Sequence, residues 1–154
     1  RAYQLIGYRP ARDYRYVETN RHLRRLYPDI VAEIIAGLRD VGCDIRQDEV
    51  TDLFSVDGEF SVSVVIARCN RTSANALRWC LRLDTGLLPD LTIAVRMDSN
   101  NRQRLDYYVL PRIDLTGSKL KLAEENGLAL DAYRFDTLEI LYQLATPVRI
   151  VEAA

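Results

Sequence analysis

The chain has 154 residues, of which 48% are apolar and 28% charged, and its formal net charge is −1. These values are typical of one globular domain that buries its own core, and no apolar run is long enough to cross a bilayer. The N-terminus also lacks the apolar core of a signal peptide, so we expect a soluble cytoplasmic protein, of bacterial type, with no membrane partner.

Cysteine and histidine usage excludes two common kinds of small domain. The three cysteines, Cys43, Cys69 and Cys80, are odd in number and show no C-x-x-C spacing, and His22 is the only histidine. This pattern indicates neither a disulfide framework nor a zinc site, so we expect buried or half-buried thiols and no cofactor.

The N-terminal segment, residues 1–27, is strongly basic. It holds seven arginines against two carboxylates, a balance of +5, so the rest of the chain sums to −6. Cations interleaved with tyrosines are suited to contact phosphates and stack bases. A short helix from about Thr19 to Tyr27 is expected within the segment. The candidate nucleic-acid-binding residues here are Arg9, Arg12, Tyr14, Arg15, Arg24 and Arg25.

Residues 28–154 are predicted to form one α+β domain. Pro28 suits the first position of a second helix, and Gly42 suits its end. Apolar residues on one stripe of this helix indicate that it packs on a sheet; they are Ile30, Val31, Ile34, Ile35 and Leu38.

The middle of the chain alternates apolar and polar residues with period two. We expect a short strand over 53–56, a tight turn at Asp57-Gly58, and strands over 59–68, 77–84, 91–98 and 105–110. Short connections predict an antiparallel meander of four or five strands, with helices packed on one face. Residues 111–127 are predicted to be irregular. We expect a last helix from Asp136 or Thr137 to Ala145 and an edge strand over 148–151.

Simple hairpin registers give this sheet one core face and one open face. The core face carries ten large residues: Phe60, Val62, Val64, Ile66, Trp79, Leu81, Leu83, Ile93, Val95 and Met97. On the open face Arg78, Arg96 and Tyr108 stand in one row, with Arg82 nearby. Like charges on adjacent strands repel, so an anion is expected between them. It is either an internal carboxylate (Asp84, Asp98 or Asp106) or an external phosphate, unless a helix covers the small residues Ala67, Cys80 and Ala94.

The predicted order of helix, antiparallel strands, helix and strand is similar in topology, over residues 28–151, to the core of the PD-(D/E)xK nuclease superfamily. Pro89-Asp90 resembles the first half of that motif, whereas Ile93-Ala94-Val95-Arg96 lacks the acid-x-lysine half. The resemblance therefore implies an inactive or divergent relative, and no catalytic residue is carried over. Under this alternative Mg²⁺ is the cofactor, and its candidate ligands are Asp84, Asp90, Asp98 and Asp106.

These observations favour a nucleic-acid-binding module, for DNA or RNA, over an enzyme. Because the chain opens on Arg1, we expect it to be a domain of a larger DNA-processing protein. Two alternatives stay open: a non-catalytic protein-interaction domain, bound to the remainder of that polypeptide or to a partner protein, and a divergent metal-dependent nuclease.

Overall fold

The computed structural model describes residues 11–83, 87, 89–112 and 119–145, without the side chains of 11–16 and 144. Its architecture is α+β: one long helix, then strands in two sheets, then two short helices. The elements are α1 (Ala11–Asp40), β1 (Ile45–Gln47), β2 (Phe54–Val56), β3 (Phe60–Ala67), β4 (Cys69–Arg71), β5 (Leu77–Arg82), β6 (Leu91–Met97), β7 (Arg104–Pro111), β8 (Lys119–Leu122), α2 (Leu128–Asp131), β9 (Arg134–Phe135) and α3 (Glu139–Ala145).

Helix α1 is continuous over 30 residues and contains Pro28 in its interior. The predicted break between two helices at Pro28 is therefore wrong, as is a helix starting only at Thr19. Proline removes one helical hydrogen bond, which the packing of the following stripe on the sheet outweighs. The end at Gly42 is confirmed: Gly42 has a φ of 98°, and the amides of Gly42 and Cys43 donate to the carbonyls of Arg39 and Leu38, both at 3.0 Å. This is the Schellman arrangement that favours glycine.

The larger sheet, sheet A, has the strand order β1-β2-β3-β6-β7-β9. The turn at Asp57-Gly58 is confirmed, since both residues have positive φ and join the antiparallel strands β2 and β3. However, β3 pairs with β6 in parallel, and β5 does not belong to this sheet. A simple antiparallel meander is therefore not what the chain forms.

The smaller sheet, sheet B, has the order β4-β5-β8 and is antiparallel throughout. The chain passes from sheet A to sheet B at Arg68, the single residue between β3 and β4. Sheet B is fixed to sheet A by the indole of Trp79, whose Nε1 donates to the carbonyl of Met97 at 2.8 Å. The strand β8 lies in a region predicted to be irregular.

Two apolar clusters lie on opposite faces of sheet A. Helix α1 covers one face, where Ile30, Ile34 and Leu38 pack with Val62, Ile93 and other residues of sheet A. Sheet B covers the other face, where Trp79 and Leu81 pack with Ala94, Tyr108 and Leu110. The single predicted core face is therefore wrong for Trp79 and Leu81, which belong to the second cluster.

Both clusters share the central strand β6, which is buried from Thr92 to Met97. A parallel neighbour and covering layers on both faces are typical of such a strand. The predicted open face of β6 does not exist.

The last described helix begins close to its predicted start. The hydroxyl oxygen of Thr137 accepts from the Glu139 amide at 3.3 Å, and Leu138 and Leu141 are buried. The predicted strand over 148–151 lies outside the described residues. In the described part of the chain, no helix has the length and apolarity that a membrane span needs.

Candidate nucleic-acid interface

Arg96 is buried between the two sheets rather than exposed to a ligand. Its Nε and Nη2 donate to the two carboxylate oxygens of Asp106 at 2.7 and 2.6 Å, and its Nη1 donates to the Ala123 carbonyl at 2.6 Å. The guanidinium also lies over the rings of Trp79 and Tyr108, at 4.4 and 5.2 Å from their centroids. Burial lowers the pKa of Arg96, but the hydrogen bonds and charge of Asp106 outweigh it and the pKa is raised.

Tyr108 belongs to the same buried network. Its hydroxyl donates to Asp131 Oδ1 at 2.5 Å and accepts from the side-chain amide of Asn126 at 2.8 Å. Burial, and then the hydrogen bond to Asp131, raise the pKa of Tyr108. The backbone amide of Asn126, followed by the Tyr108 hydroxyl, lowers the pKa of Asp131. Every hydrogen bond described here is internal, which indicates a structural role.

The predicted row of Arg78, Arg96 and Tyr108 is therefore wrong. Tyr108 pairs with Ala94, and Arg96 pairs with Asp106, whereas Arg78 lies on sheet B opposite Asn70. The reason is that β5 packs over β6 instead of beside it. Trp79 of β5 belongs to the same apolar cluster as Ala94 and Tyr108 of sheet A, and the Arg96 guanidinium lies over its ring.

The outer face of sheet B, which we call the basic face, brings two of the predicted arginines together with both lysines of the chain. Along β5 the alternation was predicted correctly: Trp79 and Leu81 are buried, and Arg78, Cys80 and Arg82 are exposed. On β8, Lys119 and Lys121 are exposed while Leu122 is buried. The described side chains that the strands place on this face are those of Asn70, Arg78, Cys80, Arg82, Lys119 and Lys121.

The basic face concentrates positive charge in a small area. Lys119 is paired with Arg82 and Lys121 with Cys80, so Lys121 is the diagonal neighbour of Arg82. Opposite residues lie ~5 Å apart, and Arg78 and Arg82 lie ~13 Å apart along the strand. None of the described residues that the strands place on this face is acidic, and the ion pairs found among the described residues do not involve these four cations. Like charges directly opposite each other destabilise a sheet, so an external anion would relieve this repulsion.

The other predicted basic residues lie on or before α1. Arg24 and Arg25 are exposed on the helix. Arg12, Tyr14 and Arg15 fall in its first turns, where only the backbone is described, and Arg9 lies outside the described residues. Ile30, Ile34 and Leu38 of α1 pack on the face of sheet A opposite to sheet B, and neither Arg24 nor Arg25 is among the residues that the strands place on the basic face.

The candidate metal ligands do not converge among the described residues. Asp98 Oδ1 accepts from the backbone amides of Asn100 and Arg102 in its own turn, Asp106 binds Arg96, and Asp90 Oδ2 accepts from the Ser61 amide at 2.8 Å. Asp84 lies outside the described residues. Within the described ranges, no group of three or more His, Cys, Asp or Glu side chains is placed to hold a metal ion.

The sequence pattern predicts an irregular segment over residues 111–127 and therefore does not identify Lys119 and Lys121 as site residues. The signal was present, since Lys119-Leu120-Lys121-Leu122 alternates with period two. At four residues β8 is short for a strand, and over that length the alternation of residues alone does not distinguish a strand from a loop.

Comparison of the chain with protein-family models, with curated proteins and with solved structures found no match.

Proposed function

We propose that this chain is a nucleic-acid-binding module whose contact surface is the basic face of sheet B. The observation that carries the proposal is the pairing of exposed Arg82 with exposed Lys119 on a face where Arg78 and Lys121 are close neighbours. Two cations held opposite each other cost folding free energy, and a phosphate between them recovers it.

The composition of the face favours contact with the phosphate backbone over reading of bases. Arginine binds phosphate with a planar fork and lysine as a point charge. The described side chains of the face include no aromatic ring on which a base would stack. We therefore expect binding to depend strongly on salt and weakly on base sequence.

The overall acidity of the chain does not oppose this function. The net charge of −1 is a sum over the whole sequence, whereas phosphates are attracted by the local field of the surface that faces them. Arg82 lies directly opposite Lys119 and diagonal to Lys121, so these cations are within about one Debye length of each other, ~8 Å at physiological salt.

The experiment is fluorescence anisotropy with labelled duplex and single-stranded oligonucleotides at low salt. The double variant Arg82→Gln/Lys119→Gln is expected to bind at least about tenfold more weakly than the wild type, because each phosphate contact contributes on the order of 1 kcal/mol. The matched control is Arg46→Gln/Arg134→Gln, which removes the same charge from exposed positions of β1 and β9.

The control variant is expected to bind within about twofold of the wild type. Equal weakening in both double variants would mean that net charge alone governs binding and would reject the basic face as the surface. Absence of any binding at low salt would reject the function itself.

A further inference from the structure

A second group of arginines lines a cleft between α1 and the β6–β7 loop, residues 98–103. Arg21 and Arg25 come from the helix and Arg102 from the loop. The cleft has a volume of about 580 Å³, which is within the range of small-molecule sites. It does not include the residues of the basic face.

The loop wall of the cleft is held in one conformation by its own hydrogen bonds. Asp98 Oδ1 accepts from the Arg102 amide at 2.9 Å, and Asn101 has a φ of 56°. The Asn101 side chain accepts from the Cys69 amide at 2.6 Å and donates to the Cys69 carbonyl at 3.0 Å. The loop is therefore attached to β4 before any ligand binds.

The helix wall contacts the loop through His22, and through Asn20 it contacts Arg68, the residue between β3 and β4. His22 Nε2 lies 2.9 Å from the Arg102 carbonyl oxygen, and Arg68 Nη1 donates to Asn20 Oδ1 at 2.7 Å. These contacts fix the separation of Arg102 from Arg21 and Arg25. A preformed arrangement reduces the entropy that a ligand must overcome on binding.

The charge of the cleft is not balanced by its lining. Arg21 and Arg25 are four residues apart on one face of the helix, where like charges repel. Glu18 is the one carboxylate among the described lining residues, so three guanidinium groups against it leave an excess of two positive charges. None of the ion pairs found among the described residues includes Arg21, Arg25 or Arg102.

We propose that this cleft binds a phosphoryl group with two negative charges, either in a free pyrophosphate-type ligand or at the phosphorylated end of a nucleic acid. Two charges match the excess of the cleft, and three guanidinium forks supply donors for the oxygens of such a group. The proposal is independent of the basic face, because it names different residues and a different ligand.

Isothermal titration calorimetry of the whole chain with inorganic pyrophosphate tests the cleft. The wild type is expected to bind, and Arg25→Gln and Arg102→Gln are each expected to weaken binding about tenfold. Arg24→Gln is the matched control: Arg24 neighbours Arg25 but does not line the cleft, so affinity is expected to stay within about twofold. No heat of binding in the wild type, or equal weakening in all three variants, would overturn the proposal.

Two further arms identify the source of the phosphoryl group. Tighter binding of a 5′-phosphorylated than of a 5′-hydroxyl oligonucleotide, lost in Arg102→Gln, would assign the cleft to nucleic-acid ends. Equal binding of the two oligonucleotides together with pyrophosphate binding would assign it to a free ligand. Neither Arg82 nor Lys119 lines the cleft, so Arg82→Gln/Lys119→Gln is expected to bind pyrophosphate as the wild type does. The cleft proposal and the basic-face proposal can therefore be rejected independently of each other.

Discussion

Arg96 and Asp106 form a two-pronged ion pair across the neighbouring strands β6 and β7, with 2% and 6% of their surface exposed. The Arg96 guanidinium is enclosed by the rings of Trp79 and Tyr108. The pair lies within sheet A, and its guanidinium contacts sheet B through the ring of Trp79. Removing one partner would leave a buried charge without compensation.

Asp106→Asn is expected to lower the free energy of unfolding by about 3 kcal/mol or more, because it leaves the Arg96 charge buried and unpaired. Urea denaturation followed by circular dichroism measures this loss. The double variant Arg96→Met/Asp106→Leu replaces the pair by apolar groups and is expected to be more stable than Asp106→Asn. A loss below about 1 kcal/mol in Asp106→Asn would show that the pair is solvated rather than buried.

Asp131→Asn is expected to destabilise the fold at neutral pH and to have a smaller effect in acid. The pKa of Asp131 is lowered from its ordinary 3.8 in the folded chain. A lowered carboxyl pKa contributes stability above the unfolded pKa, and this contribution is lost as pH falls through the folded pKa. Thermal unfolding of both chains from pH 7 downwards checks this; a difference that stays constant below the ordinary pKa would contradict it.

Lys119→Glu is expected to stabilise the fold while weakening nucleic-acid binding. The substitution replaces a like-charge pair with Arg82 by an opposite-charge pair, which contributes about 0.2–1 kcal/mol at low salt. Thermal unfolding and fluorescence anisotropy on the same preparation measure the two effects. Lys121→Glu is the control, since Lys121 pairs with Cys80 and its replacement is expected to give a smaller gain in stability. A fall in stability at position 119 would show that the Arg82–Lys119 repulsion is absent.

Cys80 provides a chemical probe at the centre of the basic face. It is the exposed cysteine, whereas Cys43 and Cys69 are buried, and its neighbours on the face are Arg78, Arg82 and Lys121. Saturating oligonucleotide is expected to slow its alkylation by iodoacetamide several-fold, measured by mass spectrometry. As a control, Cys80→Ser should remove the fast-reacting thiol altogether. Alkylation at the same rate with and without bound oligonucleotide would place the binding surface elsewhere.

Local pattern predicted the strands well and their arrangement poorly. The alternation in residues 77–82 correctly separated buried Trp79 and Leu81 from exposed Arg78 and Arg82, because period two depends only on the strand itself. Which strand pairs with which depends on packing between distant residues. The parallel pairing of β3 with β6 and the packing of Trp79 in one cluster with Ala94 cannot be predicted from the short loop lengths, which favour a meander.

The dependence of strand pairing on distant contacts also explains which predicted site residues are exposed and which are buried. Arg78 and Arg82 remain candidates because their exposure follows from their own strand. The alternation of β6 and β7 predicts an open face for Arg96 and Tyr108, but sheet B covers that face. The same alternation is equally compatible with a buried polar network. Pro28 similarly suited a helix start, yet tertiary packing keeps α1 continuous through it.

The salt dependence of oligonucleotide affinity tests the central proposal most directly. With four phosphate contacts on the basic face, the logarithm of the duplex association constant is expected to fall against the logarithm of salt concentration with a slope of about −3.6. Lys119→Gln is expected to reduce the magnitude of this slope by about 0.9, and Arg46→Gln to leave it unchanged. Affinity that does not respond to salt, or a slope identical in Lys119→Gln and the wild type, would contradict binding through this face.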